Sequence, residues 1–218
     1  KMLKPFSKAD AIVHLEKHGL HIMQPKDLNR FVSCGVEAFK DTGIYRYLFH
    51  GKDYEKKVNL AMELLVKTTG KDGILYSDSE EVNGFAQWYP PNFTGVSFWN
   101  YAFAGGLKYL LLTDFFGTVN RIDYIEQFSF TKKKEITKNQ DIFLYYLAVR
   151  PSMQKKGIAS KLMRPMLEYA KSINRPCYCE TYEQKNIKMY EHFGFKQLQS
   201  TKVPDTTETH YPMLYQVQ

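Results

Sequence analysis

Two groups of residues in this chain have types and a spacing that could do chemistry. The first is Gln154-Lys155-Lys156-Gly157-Ile158-Ala159-Ser160, which follows the apolar run Ile142–Val149 and opens a stretch of helical periodicity. A helix that starts directly after a strand presents first-turn amides with no intrahelical partner, and such amides cradle an anion. Gly157 and Ala159 are small where backbone would have to approach a ligand closely. A larger residue at Gly157 would fill the space that a pyrophosphate needs. Arg150, Lys155 and Lys156 add positive charge beside this turn, although each reads equally well as an exposed surface residue. The second group is Asn186 and Tyr190, four apart and so on one helix face, followed by Gly194-Phe195. A tyrosine of ordinary pKa, about 10, holds its proton at neutral pH and can pass it to a leaving thiolate. Taken alone, Tyr190 reads better as a core aromatic with one hydrogen bond.

Strands and helices must bring these groups together. Pro5–Lys17 reads as a helix ended by Gly19, and Leu20–Met23 as a weak strand in which His21 is half-buried rather than a ligand. Helices are expected from Pro25 to Phe39, from Ile44 to Phe49, and from Tyr54 to Thr69 with Gly70 and Gly73 closing it. Gly73–Ser77 and Val82–Tyr89 read as strands around a polar turn, and Pro90-Pro91 takes the chain out of the sheet. Residues 92–140 are dense in aromatics from Phe93 to Phe130, Phe98 and Tyr109 among them, and read as two or three helices. Their aromatics either pack this segment on the sheet, the preferred reading, or line a pocket. The continuous apolarity of Ile142–Val149 predicts a strand buried on both faces. A helix over Gln154–Ile173 contains Pro165, which should kink it at a cost of about 3 kcal/mol. A strand over Cys177–Tyr182, a helix over Lys185–Phe193 stopped by a left-handed Gly194, and strands over Phe195–Val203 and Thr209–Val217 complete the chain. This order predicts an α/β or α+β fold whose sheet is mostly antiparallel, with one parallel pairing at the strand–helix–strand crossover.

Composition narrows the function classes. With 218 residues, 44% hydrophobic and 24% charged, the chain is globular. No run of eighteen apolar residues predicts a membrane span, and no secretory leader opens the chain, so a cytoplasmic setting is expected. The net charge of +7 fits nucleic acid, an acidic membrane or a phosphorylated cofactor. Lys132-Lys133-Lys134 is the one tight basic run, read as a solvated helix face, and no nucleic-acid motif accompanies it. Three cysteines make no disulfide framework and fit a reducing compartment. Cys177 and Cys179 share a strand face as small core residues; their spacing has no second half elsewhere, so no metal is expected.

Val149-Arg150-Pro151-x-x-Gln154-Lys155-x-Gly157-x-Ala159, with Asn186-x-x-x-Tyr190-x-x-x-Gly194-Phe195, resembles the GNAT superfamily of acyl-CoA-dependent N-acetyltransferases. The first element is similar to its pyrophosphate loop, with Ala159 in place of the commoner second glycine. The second is similar to its last-helix element. Tyr145–Val149, the Pro165 helix and Gly84-Phe85-Ala86-x-Trp88-x-x-Pro91 are also similar to a puromycin N-acetyltransferase-like subgroup. The resemblance implies a single domain over 1–218, with a central mixed sheet flanked by helices, a helical insertion at 92–140 between the third and fourth strands, and an acyl-CoA-binding core at 141–196. It also implies that amides from Gln154 to Ser160 hold the pyrophosphate of acetyl-CoA and that pantetheine lies along Leu147, Ala148 and Val149. A backbone N–H near Leu147 would polarise the thioester, Asn186 would hold the pantetheine, and Tyr190 would protonate the thiolate. An amine, preferably of a small molecule, would attack directly in a ternary complex, with Glu180 as the foremost base and Glu126, His210 or water behind it. Glu180 reads equally well as a surface or cap carboxylate. The alternatives are a non-catalytic acyl-CoA-binding regulatory module and a protein or peptide N-acetyltransferase.

Overall fold

The computed structural model describes residues 2–217; the side chains of Lys71, Phe98 and Tyr109 lie outside the described residues. The near-continuous apolar runs become strands covered on both faces. β1 (His21–Ile22), β2 (Ile74–Ser77), β3 (Gly84–Tyr89), β4 (Ile142–Val149), β5 (Cys177–Thr181), β6 (Lys196–Gln197), β7 (Thr201–Lys202) and β8 (Thr209–Tyr215) form the sheet. Its order is β1-β2-β3-β4-β5-β8-β6, with β7 also paired to β8. β4 and β5 pair in parallel and the other neighbours pair antiparallel, as the element order predicts.

The helices are α1 (Lys8–Lys17), α2 (Leu28–Phe39), α3 (Gly43–Phe49), α4 (Tyr54–Asp72), α5 (Phe98–Phe103), α6 (Phe115–Thr137), α7 (Ile158–Ser172) and α8 (Ile187–His192). α1, α7 and α8 bury Leu15, Met166 and Tyr190 against Trp88, Leu144, Cys177 and Cys179 on one face of the sheet. α2, α3, α4 and α6 cover the other face at Leu75, Phe85 and Ala148. Each fully buried Leu or Met of α7, such as Leu162 and Met163, stabilises this layering by about 1.5–3 kcal/mol.

Several boundaries differ from expectation for local reasons. α1 starts at Lys8 rather than Pro5 because the Ser7 hydroxyl caps it, accepting from the Asp10 amide at 3.2 Å. α4 runs through Gly70 to Asp72 and ends at Gly73 in extended, not left-handed, backbone. α7 starts at Ile158 rather than Gln154, since Lys155 (φ 61°) and Gly157 (φ 82°) are left-handed and cannot lie inside a helix. The helix then continues through a buried Pro165. The insertion between β3 and β4 holds α5, a 3-10 turn over Gly106–Leu111, and α6. Lys133 is not part of a solvated face. It is 1% exposed, with Nζ 3.0 Å from Asn139 Oδ1 and 3.5 Å from Asp141 Oδ1, and it anchors the end of α6 to the start of β4.

Candidate active site

The site is organised by the point where β4 and β5 part. They pair only at Ile142–Cys177, Phe143–Tyr178 and Leu144–Cys179, although β4 continues to Val149 and β5 to Thr181. The cause lies on the other edge of β4. Gln87 of β3 faces Tyr146 and Trp88 faces Leu144, so Tyr145 is an extra residue that makes a bulge. A bulge bends its strand and increases its twist, which turns Leu147, Ala148 and Val149 away from β5. Those residues stay paired to β3 and leave their other edge without a strand.

At the end of β4 the chain makes a short 3-10 turn over Pro151–Met153 and then the exposed turn Gln154–Gly157. The Gln154 side chain returns to the Val149 carbonyl at 3.4 Å. Gly157 takes its left-handed φ beside open space, with no heavy atom within 4 Å of where a Cβ would stand. The Lys161 amide donates to the Gly157 carbonyl at 3.0 Å and opens the helical ladder, so the amides of Ile158, Ala159 and Ser160 precede it. An accessible helix N-terminus, an open glycine and exposed Lys155 and Lys156 fit a phosphate-bearing ligand. Arg150 does not join them. Its guanidinium is held by Glu37 and Ser33 of α2, and its Nε donates to the Val82 carbonyl at 3.1 Å.

Tyr190 and Glu180 stand on opposite faces of the sheet. Tyr190 lies in the layer of α7 and α8, buried beside Cys179, with its ring 5.9 Å from Phe195. Burial, and then the neighbouring Cys179, push its phenol well above the usual tyrosine range, so it keeps its proton. Gly194 (φ 89°) ends α8 as expected, and the Phe195 amide turns back to the Tyr190 carbonyl at 3.1 Å. Asn186 precedes the helix, with Nδ2 3.3 Å from Thr181 Oγ1. Glu180 is neither a surface nor a cap carboxylate. It accepts from Ser129 of α6, from the Tyr178 hydroxyl at 3.1 Å, and faces His210 Nε2 at 2.8 Å.

His210 itself is fully buried, and its Nδ1 has no hydrogen-bond partner among the described residues. The Tyr182 hydroxyl, whose ring centroid lies 5.8 Å from that of His210, is likewise buried and unpartnered. Glu126, one turn before Ser129 on α6, accepts from the Tyr145 hydroxyl at 2.8 Å and the Tyr101 hydroxyl at 3.4 Å. Burial raises its carboxyl above the usual range, and the two tyrosines partly oppose that. Glu126 also lines a cleft of about 610 Å³ with Thr94, Phe130 and Asn139. Ser129, Tyr178 and Tyr182 escaped the reading of the sequence; the period-2 spacing of Tyr178, Glu180 and Tyr182 was the available signal.

A model of the acetyltransferase (GNAT) family matches residues 64–195 of this chain. Two uncharacterized N-acetyltransferases of Schizosaccharomyces pombe are similar along most of their length. One is 26% identical over 187 residues, covering 82% of this chain and 74% of the relative. The other is 24% identical over 189 residues, covering 80% of each. The structure called histone acetyltransferase HPA2 and related acetyltransferase, from Corynebacterium glutamicum, shares the fold at 18% identity with a TM-score of 0.63, over 91% of this chain and 96% of that one. With the family match spanning more than half of the chain, and with the splayed parallel strands and open helix N-terminus in place, this protein belongs to the GNAT family and is an acetyl-CoA-dependent acetyltransferase.

Proposed function

We propose that the chain acetylates the primary amine of a small molecule by direct attack within a ternary complex. The observation that carries this reading is the gap between β4 and β5, with Tyr190 on one face of the sheet and the Glu180–His210 pair on the other. When bound, acetyl-CoA supplies an activated acetyl group on a thioester. The amides of Gln154 to Ser160, with Lys155, Lys156 and the open Gly157 around them, hold its pyrophosphate. The free edge of Leu147, Ala148 and Val149 pairs with the pantetheine, and Asn186 steadies it. A backbone N–H near Leu147 polarises the carbonyl.

Glu180 keeps the His210 proton on Nε2, which leaves Nδ1 with a lone pair to take the proton of the attacking amine. As the nitrogen–carbon bond forms and the carbon–sulfur bond breaks, Tyr190 gives its proton to the departing thiolate. Glu126 in its cleft holds the acceptor by hydrogen bonding. The buried, reduced cysteines favour a cytoplasmic setting. A peptide acceptor is the second reading, favoured by the exposed apolar side chains of Trp99, Phe103 and Leu111 in the insertion.

A thiol-release assay with acetyl-CoA, run over small amines and over peptides with free N-termini or lysines, separates these readings. Turnover on small amines, with a raised KM for the amine and unchanged kcat in Glu126→Gln, is expected. Turnover confined to peptides would overturn the small-molecule assignment.

A further inference from the structure

Outside this site, α1 and α7 bring together three side chains whose donor atoms suit a transition metal. His14 and His18 lie one turn apart at the end of α1, with ring centroids 4.5 Å from each other. Glu168 comes from α7, and its Oε2 is 3.2 Å from His18 Nε2. One ligand atom from each of the three residues lies within 4.8 Å of the other two. We propose that His14, His18 and Glu168 bind a divalent transition-metal ion of the zinc type, which clips α1 to α7.

The hydrogen bonding already orients one ligand. His18 Nδ1 lies 2.8 Å from the His14 carbonyl, which can only accept, so Nδ1 carries the proton. A histidine held in this way by a backbone carbonyl turns its Nε2 outward as a metal ligand. That Nε2 faces a carboxylate oxygen. Without a second proton or a cation between them, two lone pairs would oppose each other. His14 Nε2 is buried and has no hydrogen-bond partner among the described residues.

Two imidazole nitrogens and one carboxylate oxygen suit zinc and its neighbours and do not suit magnesium or calcium, which take oxygen shells. A tetrahedral site needs donors about 3.3 Å apart, given metal–nitrogen bonds of about 2.0–2.1 Å. Rotation of the His18 and Glu168 side chains, 38% and 60% exposed, can close the remaining gap. Water would complete the shell. Lys17 is the positive charge nearby that works against binding. The scaffold under the site is held by Tyr169, whose hydroxyl donates to the Ser7 carbonyl at 2.9 Å and accepts from the Ser7 amide at 3.1 Å. Glu168 lies ten residues beyond Ile158, about 15 Å along the axis of α7, so the ion would brace this layer without entering the acyl-transfer site.

The test uses the full chain without an affinity tag, stripped with EDTA, and titrated calorimetrically with zinc, with magnesium as control. Cobalt absorption reports the coordination geometry. The expected result is one zinc per chain at micromolar Kd, four-coordinate cobalt bands, a Tm that rises with zinc, and no response to magnesium. His18→Ala and Glu168→Ala should each weaken zinc at least about tenfold and abolish the Tm rise, while their acetyl transfer shows that they remain folded. Zinc binding weaker than millimolar, or zinc affinity unchanged in both variants, would overturn the proposal.

Discussion

Tyr190 is a core residue that the proposed mechanism also uses as its acid. Its buried ring packs beside Phe195 and Cys179, and the same burial raises its pKa and keeps the phenol protonated. Tyr190→Phe preserves the ring packing and removes only the hydroxyl that carries the proton. It should lower kcat by about 10²-fold and leave KM for acetyl-CoA nearly unchanged, as steady-state kinetics would read. Unchanged kcat at saturating substrates would exclude Tyr190 as the acid. On the other face, Glu180 is engaged by Ser129, Tyr178 and His210, while His210 Nδ1 and the neighbouring Tyr182 hydroxyl have no partner among the described residues. His210→Ala should therefore lose turnover by about 10²-fold or more, and added imidazole should restore part of it. Full activity without imidazole would remove His210 from the mechanism.

At the scale of elements, two joints matter most. The turn before α7 needs left-handed backbone at Gly157, and a Cβ there would project into space that the proposed pyrophosphate occupies. Gly157→Ala should cost about 1–2 kcal/mol of stability from strain at that φ, and should also weaken acetyl-CoA in a calorimetric titration. A loss of stability with unaltered cofactor affinity would show that the turn is only a turn. The second joint fastens the insertion. Lys133 and Asp141 are 1% and 0% exposed, and the ammonium also lies 5.4 Å from the centroid of the Phe143 ring. Removing one member of such a buried pair strands the other, so Lys133→Ala should destabilise by about 3–5 kcal/mol in denaturant melts. A cost near zero would mean that water reaches Asp141 in the variant.

The whole molecule is a sheet enclosed by two helical layers, and its three cysteines report on that enclosure. Cys34 lies in the α2 layer, with its thiol pushed up to about 12 mainly by burial. Cys177 and Cys179, on β5, are raised well above the usual thiol range by burial, with Asp141 adding to the first and Glu180 to the second. The native protein should react negligibly with a thiol-specific disulfide reagent over the time in which the denatured protein titrates fully, because the thiolate is the reactive form. Rapid native labelling of any cysteine would reveal local opening of the corresponding layer.

Much of this architecture was legible from local pattern. Strand and helix periodicity, the position of Gly157 and Gly194, and the Pro90-Pro91 exit depend on neighbouring residues alone, so the chain's local pattern determined the element order, the glycine turn before α7 and the place of Tyr190 on α8. Tertiary structure decided what depends on residues far apart in the chain. Arg150 pairs with Glu37 rather than facing a ligand, and Lys133 is buried in the middle of an apparently solvated run. The bulge at Tyr145 opens the sheet only because β3 lies beside it in a shifted register. Glu180 gains its character from Ser129 and His210, and the His14–His18 pair meets Glu168 only when α1 docks on α7. Spacing along the chain sets which side chains share a face; packing sets which faces meet, and charge and burial follow from that meeting.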